Sequence, residues 1–237
     1  MRKNITRWLK EQLKKSKAKG IIFGLSGGVD SAVVATLAKE AAGRGSVLAL
    51  LMPCTSNIRD LKDAKLVAKE LDIPTKIIDL SGAYNNLIKI LPPANKLARN
   101  NIKPRLRMLV LYYFANKLNY LVCGTGNKSE LAVGYFTKYG DGGVDILPIG
   151  GLLKKQVRAL AQELDIPTGI INKPPTAGLW QGQTDEGEMG ITYRELDGIL
   201  ENMKKGKQAV SKDKVSKVKR MIEKSEHKRQ VPKICYI

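Results

Sequence analysis

The sequence predicts a doubly wound α/β fold in which a five-stranded parallel sheet is flanked by helices. Three observations point there. Five short apolar runs, "IIFGLS", "VLALLMP", "TKIIDL", "YLVCGT" and "DILPIG", follow one another along the 237 residues. Each is continuous rather than alternating, the mark of strands buried on both faces. Helical apolar spacing fills the segments between several of them, and aliphatic residues far outnumber the aromatics, which make up 5% of the chain. That balance suits a parallel α/β core better than a β-sandwich.

Taken in order, Ile5, Trp8, Leu9 and Leu13 form a helical stripe before the first strand. The segments "DSAVVATLAKEAAG" and "NIRDLKDAKLVAKELDIP" carry helical spacing and polar starts on either side of the second strand. Residues 94–118 are helical in pattern but interrupted by Pro104, which starts or kinks a helix holding Arg105 and Arg107. After Asp165 the chain turns loop-rich, "IPTGIINKPPTAGLWQGQTDEGEMG", as a functional lid does. Two helices, "TYRELDGILEN" and "SKDKVSKVKRMIEKSE", finish the chain. No linker composition divides it, so residues 1–237 read as a single domain with a lysine-rich helical tail from about residue 204. Right-handed crossovers place the turns after the strands along one edge, so "SGGVDS", "PCTSN" and "GTGNKSE" share a crevice.

The formal charge of +19 admits polyanionic partners, among them nucleotides. Much of it is local: between Lys204 and Lys233 stand twelve basic and three acidic residues. Val215, Val218 and Ile222 make a buried stripe there, and no aromatics interleave the lysines, so a solvated helix is favoured over a nucleic-acid surface. No apolar run reaches the ~18 residues of a membrane span, and the N-terminus lacks the apolar core of a signal peptide. Cys54, Cys123 and Cys235 are odd in number with no CxxC spacing, as expected of reduced cytoplasmic thiols.

The chemistry begins at "SGGVDS", where a buried strand meets a helix. Gly27 and Gly28 allow positive φ and close backbone approach. Ser26 and Ser31 supply hydroxyls, and the helix start supplies amides and partial positive charge, a cradle for phosphate. The pattern is neither GxxxxGK[ST] nor GxGxxG. An aspartate beside phosphate requires a cation between them, which makes Asp30 a magnesium ligand; the bland alternative is a helix cap.

SGGxDS after a buried strand resembles the pyrophosphatase-loop, or N-type ATP pyrophosphatase, family. "GTGNKSELAVGYFTKYGDGGVDILPIGGLLKKQVRALA", "KPPTAGLWQGQTDEGEMGITYRELD" and "EHKRQVP" narrow the resemblance to ammonia-dependent NAD synthetases, from Ile21 to Pro232. The sequence departs from that pattern at Gly178, where an acidic residue is usual, and at Arg105, where a small residue follows Pro104. The resemblance implies a Rossmann-like, adenine nucleotide alpha hydrolase-like fold. It implies an enzyme that adenylates the carboxylate of deamido-NAD with ATP and lets ammonia displace AMP. ATP would be held by Gly24, Leu25, Ser26, Gly27, Gly28, Val29, Asp30 and Ser31, with Thr125, Lys154 and Thr176. Deamido-NAD would meet Arg105, Lys138, Asp145, His227 and Lys228, and magnesium Asp30 and Glu130. A homodimer in the cytoplasm is also implied, without nucleic acid or membrane partners.

Each residue has a plainer reading beside this one. Glu130 and Lys154 could be surface helix residues, Arg107 and Lys155 solvated or structural, and Trp180 and Met189 simple packing of the lid. His227, the sole histidine, suits a binding contact better than general-base work. Lys154 is suited to neutralising departing pyrophosphate. Asp141 stands among Gly140, Gly142 and Gly143, as a turn aspartate would. By resemblance it is placed to attract ammonium and accept its proton. Two rivals remain: an enzyme adenylating a tRNA base or another small acid, and a nucleotide-binding module without turnover.

Overall fold

The computed structural model describes residues 1–55, 58–180, 182–205 and 211–235. Ser56 and Asn57 of the "PCTSN" turn, Gln181, and residues 206–210 of the lysine-rich tail lie outside the described residues. The chain forms a parallel sheet with helices on both faces, in the order β3-β2-β1-β4. The strands are β1 (Gly20–Gly24), β2 (Val47–Leu51), β3 (Thr75–Ile77) and β4 (Tyr120–Val122). Ile21 faces Val47 and Leu121 across the two central ladders, which fixes the register.

Every residue of β2 and all but the last of β1 are buried. Successive residues point to opposite sides: Ile21, Phe23, Ala49 and Leu51 join one apolar cluster, Ile22, Leu48 and Leu50 the other. Helices α1 (Arg2–Ser16), α2 (Val29–Ala42) and α8 (Lys154–Glu163) pack the first face. Helices α4 (Ser81–Ile90) and α6 (Ile102–Leu118) pack the second.

The expected fifth strand is not part of the sheet. "DILPIG" meets β4 only through an isolated parallel bridge between Cys123 and Ile146. The cause lies on both sides of Ile146. The Asp145 carboxylate takes the Val122 amide, at 2.8 Å, which a neighbouring strand would otherwise use. Pro148 brings no N–H to continue a ladder. β3 also differs from expectation, since all three of its residues are exposed at the sheet edge.

Between residues 94 and 118 there are two helices, α5 (Lys96–Asn100) and α6. Pro104 falls within the first turn of α6, where its missing N–H leaves no gap. The remaining helices are α3 (Ile58–Glu70), α7 (Lys128–Val133), α9 (Thr168–Ile171), α10 (Asp185–Met189), α11 (Tyr193–Lys205) and α12 (Lys212–Lys224). Two of these short helices, α9 and α10, interrupt the stretch that reads as loop. In the tail, Val218 is buried and Val215, Met221 and Ile222 pack around it, so the lysines of α12 surround an apolar stripe.

Strand order reverses across β1, with β2 and β3 on one side and β4 on the other. The turns after β1 and β4 therefore flank the crevice where ligands bind in open α/β sheets.

Candidate active site

The turn after β1 is shaped by glycine. Gly27 has φ +77°, and a Cβ there would lie 2.7 Å from the Ala64 amide nitrogen and 2.8 Å from the Asp63 Cβ. A side chain would therefore be strained in its backbone and pressed against α3. Ser31 Oγ donates to the Gly28 carbonyl at 2.9 Å and stands 3.0 Å from Ser26 Oγ, so the two hydroxyls brace the turn. Gly28 caps α2, whose first turn carries Asp30. The free amides and partial positive charge of that helix start face the crevice.

Asp30 and Glu130 come from different elements and converge on one cation. Lys154 Nζ lies 2.6 Å from Asp30 Oδ2 and 3.1 Å from Glu130 Oε1. The lysine is only 2% exposed, so neither Glu130 nor Lys154 is a solvated surface residue. Asn127 joins them: its side chain caps α7 by accepting from the Glu130 amide, and its Nδ2 donates to Asp30 Oδ1 at 2.9 Å. Burial would lower the Lys154 pKa, but Asp30 and Glu130 outweigh it and hold the ammonium charged. Burial pushes Glu130 up to about 7 against the pull of Lys154.

This place is built for positive charge, and its hard oxygen donors fit magnesium. Among the described residues no group of three or more His, Cys, Asp or Glu assembles into a metal site, here or elsewhere. The protein would therefore contribute two carboxylates and leave the remaining positions to water and phosphate oxygens.

A second cluster joins three distant segments. Arg105 Nε and Nη2 each lie 3.3 Å from the Lys138 carbonyl. The Lys138 ammonium donates to the His227 carbonyl, and Lys228 Nζ donates to the carbonyls of Gly134 and Phe136 at 2.7 and 2.8 Å. Four cationic or polar residues thus share one surface, with the His227 imidazole exposed and outside these bonds. The Phe136 ring connects the clusters: Lys228 Nζ stands 5.4 Å from it, and it lines a small cleft with Thr125, Glu130 and Asp141. Asp141 Oδ1 accepts the Thr137 amide at 2.9 Å, and burial raises its pKa.

Two expected residues are not joined to either cluster by these contacts. Asp145 is tied to Tyr112 OH at 2.9 Å and to the Val122 amide. Thr176 is exposed and accepts from the nearby Gly178 amide, at 3.1 Å. Arg107 Nε donates to the Met52 carbonyl at 3.1 Å.

Sequence reading missed Asn127, Tyr193, Asp185 and Asp197. Tyr193 OH lies 2.8 Å from Asp185 Oδ2 and 3.2 Å from Glu130 Oε1. Asp197 accepts the Lys155 amide at 2.8 Å and the Ser129 hydroxyl, while Ser129 Oγ accepts the Lys154 amide at 3.0 Å. Only Asn127 left a local signal, the N-x-x-E spacing of a capping box.

The family model described as NAD synthase matches residues 1–232. The NH3-dependent NAD+ synthetase of Carboxydothermus hydrogenoformans is 50% identical over 97% of this chain and 94% of its own. Among solved structures, an NMN synthetase from Francisella tularensis is 38% identical, with a TM-score of 0.92 over 100% of this chain and 97% of that one. An NH3-dependent NAD synthetase from Campylobacter jejuni, in complex with nitrate, is 32% identical with a TM-score of 0.86, covering 99% and 97%.

Proposed function

The chain belongs to the NAD synthase family, and from that premise we propose how its residues divide the work of NH3-dependent NAD+ synthesis. The enzyme makes NAD+ from deamido-NAD with ATP and ammonia. Ammonia cannot displace oxide from a carboxylate, because oxide is a poor leaving group. Transfer of AMP to the nicotinate carboxylate supplies a good one, with pyrophosphate released, and the site aligns the partners.

The carrying observation is the buried Lys154 held between Asp30 and Glu130 beside the phosphate-loop turn. Residues 24–31 hold the ATP phosphates, with Thr125 and Thr176 contributing. Lys154 balances negative charge building on pyrophosphate. Asp30 and Glu130 would hold magnesium, which when bound neutralises the triphosphate. Arg105, Lys138, His227 and Lys228 suit a dinucleotide bearing its own phosphates and carboxylate, and Asp145 contacts it from the edge of β4.

Asp141, which lines the same cleft as Thr125 and Glu130, attracts ammonium and accepts its proton. Asp141→Asn is expected to release pyrophosphate in a single turnover at near wild-type rate while forming NAD+ about 10²-fold more slowly, with partial rescue at high pH and high ammonium. Equal loss of both steps would instead assign Asp141 to shaping the loop through the Thr137 amide.

Purified protein given ATP, magnesium, ammonium and deamido-NAD is expected to yield NAD+, AMP and pyrophosphate, and to ignore glutamine. ADP and phosphate as products would overturn the assignment. The similarity to an NMN synthetase favours a second reading, so the acid form of that mononucleotide belongs in the same assay. A higher kcat/KM for it would make the mononucleotide the preferred substrate.

We also propose a homodimer. Apolar and charged residues are mixed around helix α6, yet Leu109 and Tyr113 are each 61% exposed on it, and Ile90, Leu91 and Leu97 are exposed on the segments that precede it in the chain. Such a face is expected to be covered by a second copy. Sedimentation of an active monomer would refute this. No helix among the described residues is long and apolar enough to cross a membrane.

A further inference from the structure

Lys173 lies outside every role assigned so far, yet it is paired twice. Its Nζ is 2.9 Å from Asp60 Oδ1 and 2.5 Å from Asp63 Oδ2, both on α3. α3 is also the element that presses on the phosphate loop, because the backbone of Asp63 and Ala64 closes against Gly27. The other end of the same stretch returns to the same carboxylate: an ideal Cβ on Gly178 would stand 3.9 Å from Asp60 Oδ2. Residues 173–178 are therefore a short loop whose two ends meet at Asp60, with Thr176 between them. Pro174 and Pro175 fix φ immediately before Thr176, so an anchor at Lys173 is transmitted along a stiff path. The Pro175 carbonyl is held in turn by the Asp185 amide, at 3.0 Å.

We infer that Lys173 is a positioning residue, whose ion triad with Asp60 and Asp63 sets Thr176 in register with the phosphate-loop turn for nucleotide binding. The inference rests on the reading that Thr176 contacts ATP. The three groups are partly exposed, 23%, 29% and 33% for Lys173, Asp60 and Asp63. Pairs of that kind contribute little to global stability, so their variants fold. Their effect is geometric, and a displaced binding group weakens the substrate it serves more than the others.

The test compares Lys173→Gln, Lys173→Arg, the double change Asp60→Asn with Asp63→Asn, and Thr176→Val, in steady-state assays of the full chain. Lys173→Gln is expected to raise KM for ATP about tenfold, with KM for deamido-NAD changed less than about twofold. Lys173→Arg should recover most of that loss, and the double change should reproduce it. Thr176→Val should raise KM for ATP to a similar degree. Unchanged KM for ATP in Lys173→Gln overturns the inference whatever Thr176→Val does. A raised KM in Lys173→Gln beside an unchanged Thr176→Val also overturns it, since Lys173 would then act without Thr176; that outcome removes Thr176 from the nucleotide site and leaves the phosphate-loop reading standing. KM values for both substrates rising together with a lowered Tm would show a merely structural role.

Discussion

Asp30→Asn is expected to cut pyrophosphate release by about 10²–10³-fold, the cost of removing one preorganised electrostatic contact from a transition state. The substitution keeps size and shape, and its amide can still accept from Asn127 Nδ2, which now bonds Asp30 Oδ1 at 2.9 Å. What it removes is the negative charge facing Lys154 Nζ at 2.6 Å. With only Glu130 left, the place for a divalent cation loses half its protein charge. Folding should suffer little. Lys154 retains Glu130, so the stability loss is about 1–2 kcal/mol, which for a chain of this length lowers Tm by roughly 2–8 °C. The measurement is a pyrophosphate-release assay beside a thermal melt. Near-normal release at ordinary magnesium would remove Asp30 from the cation site.

Lys154→Met is expected to be worse in a different way. It removes the ammonium that balances two carboxylates from different elements, Asp30 on α2 and Glu130 on α7. Methionine fills a similar volume, so the loss is electrostatic rather than a cavity. Breaking a buried pair by removing one partner costs about 3–5 kcal/mol, because the remaining charge stays buried. Both carboxylates are more open than the lysine, at 18% and 16% side-chain exposure against 2%. Partial hydration therefore places the expected loss at the lower end, about 3 kcal/mol. Activity should fall by about 10³-fold or more, since pyrophosphate departs without its counter-charge. Added magnesium should restore some Tm but not turnover, because the metal can answer the carboxylates without supplying the lysine's contact. Recovery of both together would show that Lys154 acts only as a structural counter-ion.

The two effects separate what was legible in the sequence from what was not. The strand–turn–helix at 21–42 is local: a buried apolar run, two glycines and a polar helix start lie within a few residues, and each has a direct physical consequence. Glu130 came from resemblance alone, although the capping box that it closes with Asn127 is a local pattern that was there to be read. Lys154 has no such signature. Resemblance supplied its role, but its burial follows from α8 packing beside α2, a long-range fact that the sequence did not show. Asp185 and Tyr193 are further still, being ordinary polar residues of α10 and α11 until the fold brings them to Glu130. The missing fifth strand has the opposite origin. Its apolar run was read correctly as buried, but the Asp145 side chain and Pro148 prevent the ladder that burial alone would suggest.

That replacement governs how the molecule can meet copies of itself. Strand edges invite addition by other chains when they present a row of unpaired amides and carbonyls. Here β4 is three residues long, and beside it Asp145 occupies the Val122 amide, while the Asp145 and Ile146 amides take the Val122 carbonyl at 2.9 and 3.3 Å. At the opposite margin β3 is also three residues, with Lys76 at its centre. Neither border offers a length of backbone for a foreign strand to zip onto. Short, largely occupied margins guard the sheet against runaway extension, which leaves the helical flank as the surface for the pairing proposed above.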